Sequence, residues 1–129
     1  MSIDNASSEY YLTFGRKGQE ALTAVDPGFM NGLNGLMIAG SVGGSNRAGV
    51  AFGFPRQDED GKEKIINYAP ATWEQMRWQF TEPDGQFFEV QSGHLVIKLE
   101  NKMTLITGSL YFKLQDESEV EGTFRLLKR

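Results

Sequence analysis

The chain has no cysteine, so neither disulfides nor thiolate metal sites are available, and its 129 residues must hold together by packing alone. Histidine occurs once, at position 94, and proline four times. Basic residues never cluster beyond adjacent pairs (Arg16-Lys17, Lys128-Arg129), and the formal net charge is −4. A nucleic-acid surface needs a basic stripe, so no nucleic-acid partner is expected. No apolar run approaches the length of a membrane-spanning helix, so no membrane span is expected. Residues Met1 to Glu9 are polar, with neither a basic nor an apolar leader region. The expected compartment is the cytoplasm, although a secreted chain trimmed of its leader would look the same.

Aromatic residues and glycine are abundant: nine Phe, four Tyr, two Trp and fifteen Gly. Many glycines predict many turns and few long helices. The length suits one domain rather than two. Residues 1–8 read as a loose tail and residues 9–129 as a single domain.

The closing stretch, Gly93 to Lys128, sets the pattern. Ile106, Leu110, Phe112 and Leu114 alternate with Thr107, Ser109, Tyr111, Lys113 and Gln115, with Gly108 on the apolar phase. Val120, Gly122, Phe124 and Leu126 repeat the alternation. A period of two predicts strands with one buried face. The segments ITGSLYF and VEGTFRL place glycine on the inward face of two successive strands, and IAGSV at Ile38–Val42 is a partial third copy. Inward glycine predicts a bend, or a large neighbour packed across it, as curved sheets and barrels require.

Upstream, alternation predicts strands over Tyr10–Phe14, Leu36–Val42, Arg47–Phe54 and Lys64–Tyr68, then Gln86–Gln91 and His94–Glu100 separated by a turn or bulge at Ser92-Gly93. Gln19–Val25 reads as a strand or one helical turn. Asp26-Pro27-Gly28 reads as a type II turn, and Asn101-Lys102 as a tight hairpin with left-handed Asn. Pro70–Phe80 carries both a capping box (Thr72, Gln75) with helical spacing and a strand-like alternation of Met76, Trp78 and Phe80; the β surroundings favour strand.

The sum is an all-β fold: an antiparallel up-and-down barrel or sandwich of about eight to ten short strands, with at most one or two short helices. In general pattern it resembles the calycin-like β-barrels. The resemblance carries no residue assignments, and no lipocalin motif stands in the first strand.

Catalytic signals are absent from the sequence. Glycine-rich residues 28–53 lack the Gly-Lys-Ser/Thr of a phosphate loop. The acids Asp58, Glu59 and Asp60 are consecutive and followed by lysines, unlike a calcium loop, and read as a solvated tip. His94 has no triad partner in any recognisable order. No cofactor or metal is expected, and the chain reads as a non-enzyme. The aromatics Tyr68, Trp73, Trp78, Phe87 and Phe88, with His94 nearby, are the candidate ligand-binding residues. The same aromatics also fit a core layer. Phe87 and Phe88 are neighbours in a strand, so one faces outward or into another chain, which leaves a homo-oligomer open.

The expected function is a small β-barrel binding protein of bacterial type, holding an apolar or sugar-like ligand. The alternative is a protein-interaction module (an inhibitor, immunity-like protein or assembly factor) using an exposed sheet face. A cavity lined by those aromatics would favour the first, and a packed interior with an apolar outer patch the second.

Overall fold

The structure is a computed structural model and describes residues 9–32 and 35–129; the expected tail at residues 1–8 lies outside the described residues. Among the described residues the chain forms ten strands: β1 Tyr11–Arg16, β2 Leu22–Thr23, β3 Val25–Asn31, β4 Leu36–Gly43, β5 Asn46–Phe54, β6 Glu63–Tyr68, β7 Gln79–Thr81, β8 Phe87–Glu100, β9 Leu105–Leu114 and β10 Glu119–Leu127. All strand pairings are antiparallel and run in the order β2-β1-β10-β9-β8-β7-β5-β4-β3, with β6 joining β8 off that path. β1 ends its pairing with β10 at Tyr11↔Arg125, and β3 reaches the freed end of β10 through a bridge between Phe29 and Lys128. The result is a nearly closed barrel. The closing meander β8–β9–β10 is as the alternation predicts.

The inward phase builds the core. Leu12, Phe14, Phe52, Trp78, Phe112 and Phe124 are all at most 1% exposed. Phe52 sits among three aromatic partners, with ring centroids 5.8 Å from Phe112, 5.7 Å from Phe124 and 6.2 Å from Trp78. Edge-on and tilted aromatic contacts of this kind add to the burial itself.

The inward glycines stand where other parts of the chain come too close for a side chain. A Cβ on Gly108 would lie 2.2 Å from the Val96 carbonyl oxygen and 2.9 Å from the Phe124 ring; one on Gly122 would lie 2.3 Å from the Thr13 oxygen. At Gly40 it would meet Leu12 at 2.7 Å. In a flat sheet a Cβ stands clear of the neighbouring strand, so these approaches mark tight curvature.

Four local expectations are corrected. Asp26-Pro27-Gly28 is no free turn but a bulge inside β3, where the register shifts between Val25 and Gly28. Asp26 does take a left-handed φ of 49°, but β3 is the last strand of the sheet path, a position that tolerates proline. The two expected strands Gln86–Gln91 and His94–Glu100 are one 14-residue strand, Phe87–Glu100, because the break is the bulge rather than the turn: lying between Val90 and Ser92, it bends the chain without ending it. The Asn101-Lys102 hairpin is wider than two residues: Asn101, Lys102 and Met103 are all left-handed.

The fourth correction concerns Pro70–Phe80, which is neither a continuous strand nor an amphipathic helix. Pro70–Thr72 forms a 3-10 turn, residues 73–78 are irregular, and only Gln79–Thr81 pairs as β7. The long strand β8 explains why. Its first part pairs with β7 and its second with β6, leaving a fork between those two partners. The segment 70–78 fills the fork. Gly53 is required opposite it, since a Cβ there would sit 2.8 Å from Met76 Cβ.

Candidate functional site

The sequence-predicted residues fall in three places. Tyr68, Trp73 and Trp78 form one aromatic cluster in the fork. Tyr68 and Trp78 stack at 4.4 Å and 8°, and Trp73 meets them edge-on at 5.1 and 5.7 Å. Their polar atoms are all engaged internally. The Trp78 indole N–H donates to the Gly53 carbonyl at 2.7 Å, the Trp78 backbone N–H to the Tyr68 hydroxyl at 3.1 Å, and the Trp73 indole to the Met76 carbonyl at 3.1 Å. Trp78 is wholly buried. Tyr68 borders an outer groove of about 450 Å³ shared with Arg77, Glu89 and Gln115.

Phe88 is buried and Phe87 is 52% exposed, as their adjacency requires. The Arg16 guanidinium lies 5.1 Å from the Phe88 ring centroid and 5.6 Å from that of Phe80. It also pairs with Glu82 at 2.5 Å and Asp116 at 3.7 Å, and bonds the Ser118 hydroxyl. One side chain thus joins β1 to the β7–β8 and β9–β10 connections across that end of the barrel.

His94 lies apart from both groups, on the outer face. The register builds that face row by row. Thr13, Thr123, Ser109, Val96 and Ile65 are successive cross-strand partners, and beside them run Glu121, Tyr111, His94 and Asn67. The turn after β1, with Lys17, Gly18 and Gln19, walls one end. Between them lies a groove of about 600 Å³, the largest of the described cavities.

Its wall carries the hydroxyls of Thr13, Ser109, Tyr111 and Thr123 together with His94, Gln19 and the charged Arg16, Lys17 and Glu121. The Thr13 and Thr123 hydroxyls are 3.1 Å apart, sharing one proton between two groups that can each donate and accept. The His94 ring stacks on Tyr111 at 5.3 Å and 28°. The Tyr111 hydroxyl donates to the Glu119 carboxylate, which also faces Lys17 at 3.6 Å. This bond raises the phenol's pKa above its usual 10.0 and lowers that of Glu119 below 4.5, with Lys17 assisting the latter.

Thr13, Ser109, Tyr111 and Thr123 were not singled out from sequence, although the outward phase of the alternation carries them. What the sequence hides is that strands β1 and β10, at opposite ends of the chain, lie side by side. No group of three or more His, Asp or Glu side chains among the described residues is arranged to hold a metal ion. No helix among the described residues is long and apolar enough to cross a membrane. No protein-family profile, curated protein or solved structure matches the chain.

Proposed function

We propose that the protein is a non-enzymatic binding protein that takes a hydroxyl-bearing, sugar-like ligand in the outer groove across β1, β10, β9 and β8. One observation carries this reading: Tyr68, Trp73, Trp78 and Phe88 fill the fork and core, while the largest described cavity is outside, where the Thr13, Ser109 and Thr123 hydroxyls lie beside a stacked His94–Tyr111 pair, with Arg16, Lys17, Gln19 and Glu121 also on its wall. Sugars present an apolar face of C–H groups and an edge of hydroxyls. A ring pair suits the first, and Thr13, Ser109 and Thr123 suit the second. His94 contacts a ring rather than a carboxylate, which favours binding over acid–base chemistry. The test is titration with a panel of mono- and disaccharides. Saturable binding that is lost in Tyr111→Ala supports the reading, and a panel without any binder refutes it.

A second reading, a protein-interaction module, is favoured by β6. That strand pairs only with β8, and Ile65 on it is 65% exposed. A one-sided strand with an apolar outward residue suits addition of a partner's strand.

A further inference from the structure

At the barrel end opposite Arg16 lies a cavity of about 270 Å³, walled by Arg56, Lys102 and Lys128 with Asn31, Gln57 and Met103 between them. It draws on the ends of β3 and β10, the chain just after β5 and the β8–β9 hairpin. These are distant stretches of sequence that meet only in the fold. No aspartate or glutamate lines it.

The charge balance of the whole molecule makes this cavity unusual. Arg16, Lys17, Lys62, Lys64, Lys98, Lys113, Arg125 and Arg129 all pair with carboxylates. Among the described residues, Arg47, Arg56, Arg77, Lys102 and Lys128 have no ion pair. Three of these five converge here, in a chain whose net charge is −4. Like charges gathered without a counter-charge repel, and an anion placed between them removes that repulsion.

The cavity is also held in shape. Arg56 donates one N–H to the Gly32 carbonyl at 2.8 Å, which leaves other guanidinium donors free. Beside it, the Asp60 carboxylate accepts from the backbone N–H groups of Lys102 at 3.1 Å and Met103 at 2.9 Å. It thereby clamps the left-handed run Asn101-Lys102-Met103 against the β5–β6 loop. Asp60 therefore fixes the hairpin that presents Lys102.

We propose that this cavity is a binding site for a small phosphate-type oxyanion, either free or as the head of a phosphomonoester. Guanidinium and ammonium groups converging without a carboxylate are the donor set such an anion requires. The volume lies just below the usual range for drug-sized ligands, so a bare oxyanion or one on a short carbon skeleton fits it. The site is independent of the outer groove.

The experiment is an NMR titration of the full chain with inorganic phosphate and, separately, glycerol 3-phosphate, at constant ionic strength set with chloride. Saturable shifts at Lys102, Lys128 and the Arg56 side chain support the site. Saturation by phosphate alone shows that the free oxyanion suffices. Saturation only by glycerol 3-phosphate shows that the ester skeleton contributes. Lys102→Gln combined with Lys128→Gln should weaken binding at least about tenfold, and Arg56→Gln gives an independent check should the double variant not fold. The proposal is overturned if neither anion produces saturable shifts, if chloride produces the same ones, or if the variants bind as tightly as the parent.

Discussion

The Trp78 indole N–H donates to the backbone carbonyl of Gly53 at 2.7 Å, inside the barrel wall. β5 is paired with β4 on one side, but on the other its pairing with β7 stops at Ala51, and there the indole takes up a carbonyl that would otherwise be buried and unpaired. Trp78 is thus wall, core and hydrogen-bond donor together.

Trp78→Phe should destabilise the fold by about 2 to 4 kcal/mol, combining an unpaired buried acceptor with lost volume. Trp73→Phe should cost less, since Trp73 is only partly buried. Urea denaturation of both variants checks this. Equal losses would mean that the Gly53 bond contributes little.

The curvature can be tested on one strand. Gly108→Ala should destabilise by about 2 to 4 kcal/mol, because the new methyl meets the Val96 carbonyl and the Phe124 ring. Ser109→Ala, one residue on and facing outward, should shift stability by less than about 1 kcal/mol. Chemical denaturation giving similar values for the two would remove the argument that the sheet bends at Gly108.

The facing of β10 predicts a similar contrast. Phe124→Ala should cost about 3 to 5 kcal/mol, as a fully buried aromatic does. Thr123→Ala should cost less than about 1 kcal/mol, since its hydroxyl bond to Thr13 is exposed. The reverse order in denaturant would place the wrong face of β10 inside.

The Tyr111–Glu119 bond makes a prediction about pH. Glu119's lowered pKa contributes stability above 4.5, lost as pH falls through the folded value; Tyr111's raised pKa contributes below 10.0, lost as pH rises through its folded value. The stability difference between the parent and Tyr111→Phe should therefore be flat across neutral pH and shrink at both extremes. Thermal unfolding of both proteins over a pH series measures it, and a difference that does not vary with pH would deny the bond.

Period-two alternation made most of the strands and the inward glycines legible, because burial on one face of a sheet leaves its mark at every second residue; β3, with its bulge at Asp26-Pro27, read as a turn, and the facing of β6 was not legible from its adjacent Ile65 and Ile66. Ile106, Leu110, Phe112 and Phe124 are inside for that reason. The fork was not legible. Whether Ser92-Gly93 ends a strand or bulges within it depends on partners that lie far away in sequence, so one long β8 read as two. Pro70–Phe80 followed from this, since its conformation is dictated by the gap that it plugs. The candidate site was least legible. The aromatics signalled apolar bulk without saying which side of the sheet it occupies, and the Thr13–Thr123 pairing joins residues 110 apart.

The most direct test of the account is a ¹H–¹⁵N NMR titration with whichever sugar binds, read at the outer groove and at the buried indole in one spectrum. The account predicts saturable shifts at Thr13, Ser109, Tyr111 and Thr123 while the Trp78 indole N–H resonance stays in place. A Trp78 indole that moves with ligand while the groove amides stay silent would contradict it and put the binding site inside the barrel.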